Sequence, residues 1–127
     1  MDRDFINSPL DGNQFVADES NGKIISAVAY GGYNGAMVEA TIAIDTLRRE
    51  MLWYMFYYPF EQMKVRKIIA RIESNNDKSL NLVKRLGFIE ECVLKECAPD
   101  GDLFIYSISK DKWLDRGNTR KSQKEKL

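Results

Sequence analysis

Histidine is missing altogether from this chain of 127 residues. Its absence removes Ser-His-Asp and Cys-His nucleophilic catalysis and most zinc sites. Cysteine is scarce, with only Cys92 and Cys97. An odd separation on one expected strand points them to opposite faces, which a mutual disulfide cannot bridge. They are expected as buried or half-buried thiols in a reducing compartment. No apolar run approaches the roughly 20 residues that cross a bilayer. The start, Met1-Asp2-Arg3-Asp4, is acidic and polar, unlike a signal peptide. A cytoplasmic protein with no membrane partner is expected.

Excess charge is also lacking, with 19 basic and 19 acidic residues. The charge is unevenly spread. Residues 115–127 hold five Lys or Arg against two acids, leaving 14 basic and 17 acidic residues elsewhere, a net of −3. An acidic body argues against nucleic-acid binding, which uses a basic face. The 115–127 tail is nearly devoid of apolar residues and is expected to be disordered.

The rest is ordinary globular material, 44% hydrophobic and 30% charged, enough for one domain over 1–114. Residues 1–22 are rich in Asn, Asp, Ser and Gly and read as a poorly structured lead-in, with a short apolar interruption at Phe15-Val16-Ala17 that allows weak strand character. Strands are expected at 23–30 and 36–44 around the turn Tyr30-Gly31-Gly32-Tyr33-Asn34-Gly35, where Asn-Gly supplies positive φ. From Thr46 the period changes. Leu47, Met51, Met55 and Tyr58 recur at helical spacing, and Pro59 should bend that helix. A strand at 66–73 follows, then a helix at about 77–86. Strands at 89–97 and 103–109 flank the turn Ala98-Pro99-Asp100-Gly101-Asp102, and a last turn falls near Trp113.

The densest motif is Asn75-Asn76-Asp77-Lys78-Ser79-Leu80-Asn81-Leu82-Val83-Lys84-Arg85-Leu86-Gly87-Phe88, directly behind Ile68, Ala70 and Ile72 in strand alternation. Asn and Asp suit a helix start, Leu80, Val83 and Leu86 form one apolar stripe, and Gly87 suits a helix stop. This unit resembles the GCN5-related N-acetyltransferases, the GNAT superfamily, whose wording there is Asn-x-x-Ser or Ala followed by Lys-Leu-Gly-Phe. The resemblance runs from about Thr46 to Lys112.

It implies a mixed α/β (α+β) acyl-CoA N-acyltransferase fold, in the order strands, helix, strand, helix, hairpin. This chain would be a trimmed member of bacteriophage or bacterial type, lacking the family's first strand and first two helices. It also implies acetyl-CoA as co-substrate, with no metal, and transfer to an amine of a protein or small molecule, in host cytoplasm if the origin is phage. The alternative is a catalytically impaired relative that binds a protein partner, and a homodimer is a further expectation.

By resemblance the pantetheine arm would lie on the strand ending in Ile42, Ala43 and Ile44, and the pyrophosphate on the turn holding Thr46, Leu47, Arg48 and Arg49. The family's Gln or Arg-x-x-Gly-x-Gly or Ala is absent. Ile44-Asp45-Thr46-Leu47-Arg48-Arg49-Glu50 has no glycine to let backbone approach the phosphates. Arg48 and Arg49 either replace that closeness by charge or are plain surface residues, and the two readings weigh evenly. Asn76 and Ser79 match the motif near the cofactor, while Asn76 or Asp77 can cap the helix, and the two roles can coexist. Lys84 can reach a nucleotide phosphate or simply be solvated. Glu39 interrupts an apolar strand and is the first candidate base, with Glu73 second. Where many relatives place a thiolate-protonating Tyr this chain has Val83, and Tyr30 or Tyr33 is the candidate to stand in.

Overall fold

The computed structural model describes residues 6–10 and 13–115. They fall into two compact units divided between Val65 and Arg66.

The first unit holds β1 (Ile6–Leu10), β2 (Asn13–Ser20), β3 (Lys23–Gly31) and β4 (Met37–Ile44). After them come α1 (Arg49–Tyr57) and a π-helical turn (Tyr58–Gln62). Each strand pairs antiparallel with the next, placing Val16 opposite Val28 and Tyr30 opposite Ala40. Paired residues share a face, so alternation sorts the side chains. Val16, Val28, Tyr30, Val38 and Ala40 lie buried on the face towards α1, which adds Met51, Met55 and Phe56. Ala29, Glu39, Thr41 and Ala43 line the other face and are half-buried or exposed. Between β3 and β4, Asn34 Oδ1 accepts from the N–H groups of Ala36 and Met37 at 2.9 Å each. Gly35 takes φ 91, a value that excludes most side chains there.

Two expectations are corrected at the start of the chain. Residues 13–20 are not lead-in but strand β2, and β1 precedes it, so among the described residues four strands come before the first helix. Phe15-Val16-Ala17 is no local interruption: Val16 and Ala17 are fully buried, and pairing with β3 overrides a polar composition. The tail from 116 onward lies outside the described residues.

The second unit holds β5 (Lys67–Glu73), α2 (Asp77–Leu86), β6 (Ile89–Ala98) and β7 (Gly101–Ser109), with helical residues at 110–115. Its strand order is β5-β7-β6, both pairings antiparallel. Ile68, Ala70, Ile72, Tyr106 and Ile108 are buried, as are Leu80, Val83 and Leu86 of α2, which lies against β5. The hairpin turn narrows to Pro99 and Asp100, because β6 and β7 pair as far as Ala98 and Gly101. Lys67 pairs with Glu91, which also accepts from Ser107 Oγ at 2.7 Å. These bonds hold the Glu91 carboxyl below its ordinary pKa, the Lys67 bond most of all. Cys92 and Cys97 are exposed free thiols, correcting the expected burial. The cause is their place on β6, the outer strand of the three, which is exposed along nearly its whole length.

Candidate functional site

The turn between β4 and α1 is where the phosphate candidates cluster. Asp45 and Thr46 both donate their N–H groups to the Ile25 carbonyl of β3, at 2.9 and 3.0 Å. That bonding holds the chain out of helical geometry, so α1 starts at Arg49 rather than at Thr46. It also spends the Thr46 amide, one of the expected cofactor contacts. Arg48 is the N-cap, extended at φ −84 and ψ 153, and its side chain makes no capping hydrogen bond to the helix. The first-turn N–H groups have no intrahelical carbonyl to meet and stand at the positive end of the helix dipole. Leu47 is half-buried and Arg49 exposed beside them.

Arg48 has a definite task within its own unit. Its Nε donates to Asp18 Oδ2 at 2.8 Å, and Nη2 donates to Asp18 Oδ1 and, at 2.7 Å, to the Glu19 carbonyl. Asp18 is 0% exposed. A buried carboxylate costs several kcal/mol unless paired and bonded, and a bidentate guanidinium supplies both. Of the two arginines, only Arg49 remains as one whose observed position is an open helix start. Sequence reasoning missed Asp18 because its residues were assigned to the lead-in. The signal was there in alternation, since Val16 and Asp18 share the inward face of β2.

The strand candidates divide by face. Ile42 and Ile44 are half-buried on the α1 side, while exposed Ala43 and half-buried Glu39 are on the open side. Tyr30 pairs with Ala40 and Glu39 with Gly31, so Tyr30 and Glu39 stand on opposite faces of the unit. The structure thus separates two expected catalytic partners.

Tyr30 is moreover 1% exposed, and its hydroxyl donates to the Met55 carbonyl at 2.6 Å. Burial first, then Tyr54 and Tyr58, raises that hydroxyl well above its ordinary pKa. The catalytic role expected for Tyr30 finds no support in that bonding. In an α-helix the Met55 carbonyl would accept from residue 59, which is Pro59 and has no N–H. Tyr30 replaces the bond that proline removes, and the following residues wind into a π-turn, with Met63 N–H on the Tyr58 carbonyl at 3.0 Å. The expected bend at Pro59 therefore takes this form.

In the second unit Glu73 is exposed at the end of β5. Asn76 Oδ1 accepts from Ser79 N–H at 3.2 Å, the capping geometry foreseen as one of its two roles. Gly87 closes α2 at φ 98, with its N–H on the Lys84 carbonyl. Exposed Lys84 lies in the last turn, where its charge suits the dipole. Asn76→Ala should cost about 1 kcal/mol of stability and Asn76→Ser much less. Urea midpoints read the difference, and equal midpoints for all three proteins would refute the cap. Among the described residues no three His, Cys, Asp or Glu side chains gather for a metal, and no helix is long and apolar enough to span a membrane.

With that geometry in hand, the fold can be placed: it is the one seen in solved GNAT acetyltransferases. A variant of the spermidine N-acetyltransferase SpeG from Vibrio cholerae matches with a TM-score of 0.73 at 23% identity, over 84% of this chain and 71% of that one. A GNAT-family acetyltransferase from Bacillus anthracis matches with a TM-score of 0.64 at 20% identity, over 78% and 66%. In sequence, the uncharacterized N-acetyltransferase YnaD of Bacillus subtilis is 32% identical over 60 residues. That stretch is 44% of this chain and 35% of YnaD, so the likeness spans about a third of that relative. No family model matches the chain.

Proposed function

We propose that the chain is an N-acetyltransferase that moves an acetyl group from acetyl-CoA to an amine. The observation that carries this reading is the GNAT acetyltransferase fold, matched over 84% of the chain. Its support within the chain is the start of α1, where the N-cap side chain makes no hydrogen bond to the first turn and Arg49 stands exposed. An anion such as pyrophosphate suits that end of a helix. The β4 backbone at Ile42, Ala43 and Ile44 would carry the pantetheine arm.

In the reaction a neutral amine nitrogen attacks the thioester carbonyl carbon, a tetrahedral oxyanion forms, and the C–S bond breaks to release the CoA thiolate. Glu39, half-buried on the open face of β4, is the group proposed to accept the proton from the ammonium, with Glu73 the second candidate. A backbone N–H of β4 would hold the oxyanion.

A second reading is favoured by one specific observation. Val83 is buried in α2, and Tyr30 is locked on Met55, so neither supplies a proton to the departing thiolate. A protein that binds acyl-CoA without efficient turnover, its task being to hold a protein partner, fits that pair of facts.

Calorimetric titration with acetyl-CoA tests both readings. Binding is expected, and Arg49→Ala should weaken it about tenfold, which is roughly 1.4 kcal/mol, with thermal stability unchanged. Binding without acetyl transfer to any amine supports the second reading. No heat at high acetyl-CoA concentration removes both.

A further inference from the structure

The glycine-free turn from β4 into α1 needs some device to fix its shape, since it lacks the residues that would let backbone fold closely on a phosphate. Two sets of bonds tie it down. At its start, Asp45 and Thr46 N–H groups meet the Ile25 carbonyl of β3. At its end, Arg48 reaches Asp18 with two nitrogens and the Glu19 carbonyl with a further bond from Nη2, both residues on β2.

The second tie is unusual for a helix start. Ser, Thr, Asp and Asn are the favoured N-caps, and a cation there opposes the dipole. Arg48 occupies the cap yet turns its charge back to a carboxylate that is 0% exposed. The consequence is twofold. The negative charge of Asp18, which would repel a phosphate at this helix start, is neutralised. The cap side chain is drawn off the first turn, so it does not consume the amide donors there. Ser26 lies directly opposite Asp18 in the β2–β3 register, and its buried Oγ has no hydrogen-bond partner among the described residues. Apolar residues of similar volume often serve nearly as well as a buried ion pair, so stability alone gives no reason for Asp18.

We propose that Asp18 is a positioning residue for the pyrophosphate of the acyl donor: it holds Arg48, and through Arg48 fixes the 45–48 turn so that the first turn of α1 and Arg49 face the anion. This rests on the acyl-CoA reading above. Asp18 touches no reacting atom, and its effect is confined to the phosphate-bearing part of the donor.

Acetyl-CoA and S-acetyl-pantetheine, which lacks the pyrophosphate and nucleotide, separate that role from a merely structural one. Calorimetry with both probes is run on the wild-type protein, on Asp18→Asn and on the double variant Asp18→Leu/Arg48→Met. The double variant exchanges the buried ion pair for apolar side chains, a change that usually preserves folding, and it decides the matter if Asp18→Asn does not fold. Acetyl-CoA affinity should fall about tenfold or more, the scale expected when a binding group is misplaced by a fraction of its contact distance. S-acetyl-pantetheine affinity should stay at the wild-type value. Unchanged acetyl-CoA affinity, or an equal loss for both probes, overturns the positioning role while leaving the acyl-CoA reading intact. Wild-type protein that binds neither probe overturns the acyl-CoA reading itself.

Discussion

Arg48→Met should be among the most destabilising single substitutions outside the apolar core, lowering unfolding free energy by about 3 kcal/mol. The reason lies with its partner. Removing one member of a buried pair leaves the other desolvated and unpaired, at a cost of roughly 3–5 kcal/mol. Asp18 is fully buried, whereas the Arg48 side chain is 34% exposed. The lower end of that range is therefore appropriate, because solvent reaches the guanidinium side of the pair. The Glu19 carbonyl also loses a donor. Urea unfolding gives the number. The same experiment on Asp18→Leu/Arg48→Met should recover most of the loss, since no charge is then stranded. If Arg48→Met alone unfolds at the wild-type midpoint, the pair contributes nothing and Arg48 reverts to a surface residue. Arg49→Ala, one position later and exposed, is the internal comparison: it should leave the midpoint in place and act only on anion binding. Two adjacent arginines that look interchangeable in sequence are thereby expected to differ in kind.

That difference shows where the sequence was legible and where it was not. Helix α2 was readable to the residue, from the Asn76 cap to the Gly87 stop, because its signals act over three or four positions and all agree. The β3–β4 turn and the closing hairpin were readable for the same reason. The start of α1 was misjudged by three residues because what delays it is remote: the Ile25 carbonyl captures two amides that a helix would otherwise order. β2 was missed because its warrant is also remote. A polar stretch holding Asp18 makes sense only once Arg48, thirty positions on, is known to meet it. The cysteines were misplaced because burial of a strand depends on whether another strand follows it, which alternation along β6 cannot reveal. For the candidate site, residue types were legible but their company was not. Tyr30 and Glu39 are nine positions apart across a hairpin, and only the register puts them on opposite faces.

Tyr30 offers the sharpest test of a residue whose chemistry looked catalytic and whose geometry is structural. Tyr30→Phe should cost about 1–3 kcal/mol, the range for leaving a buried polar group without its partner. The orphan is the Met55 carbonyl, and it exists because residue 59 is proline. The cost should therefore depend on Pro59. In Pro59→Ala the new N–H can reach back to the Met55 carbonyl in ordinary helical fashion. Tyr30→Phe in that background should then cost well under half as much as in the native chain. The coupling between the two substitutions is the quantity to measure, by urea unfolding of the native protein, both single variants and the double variant. Additive costs would mean that the Tyr30 hydroxyl is not replacing the bond lost at proline, and that the π-turn satisfies Met55 by other means. Acetyl transfer provides a second, independent axis. A tyrosine whose proton is held on Met55, with its ring 5.5 Å from Tyr58 in the core of the unit, should have no part in protonating a thiolate. Folded Tyr30→Phe should accordingly show turnover within a factor of about two of the native protein, whereas a general acid that matters gives 10²–10⁴-fold when removed. A loss of that larger size in folded protein would return Tyr30 to the catalytic site and require its hydroxyl to leave Met55 during the reaction.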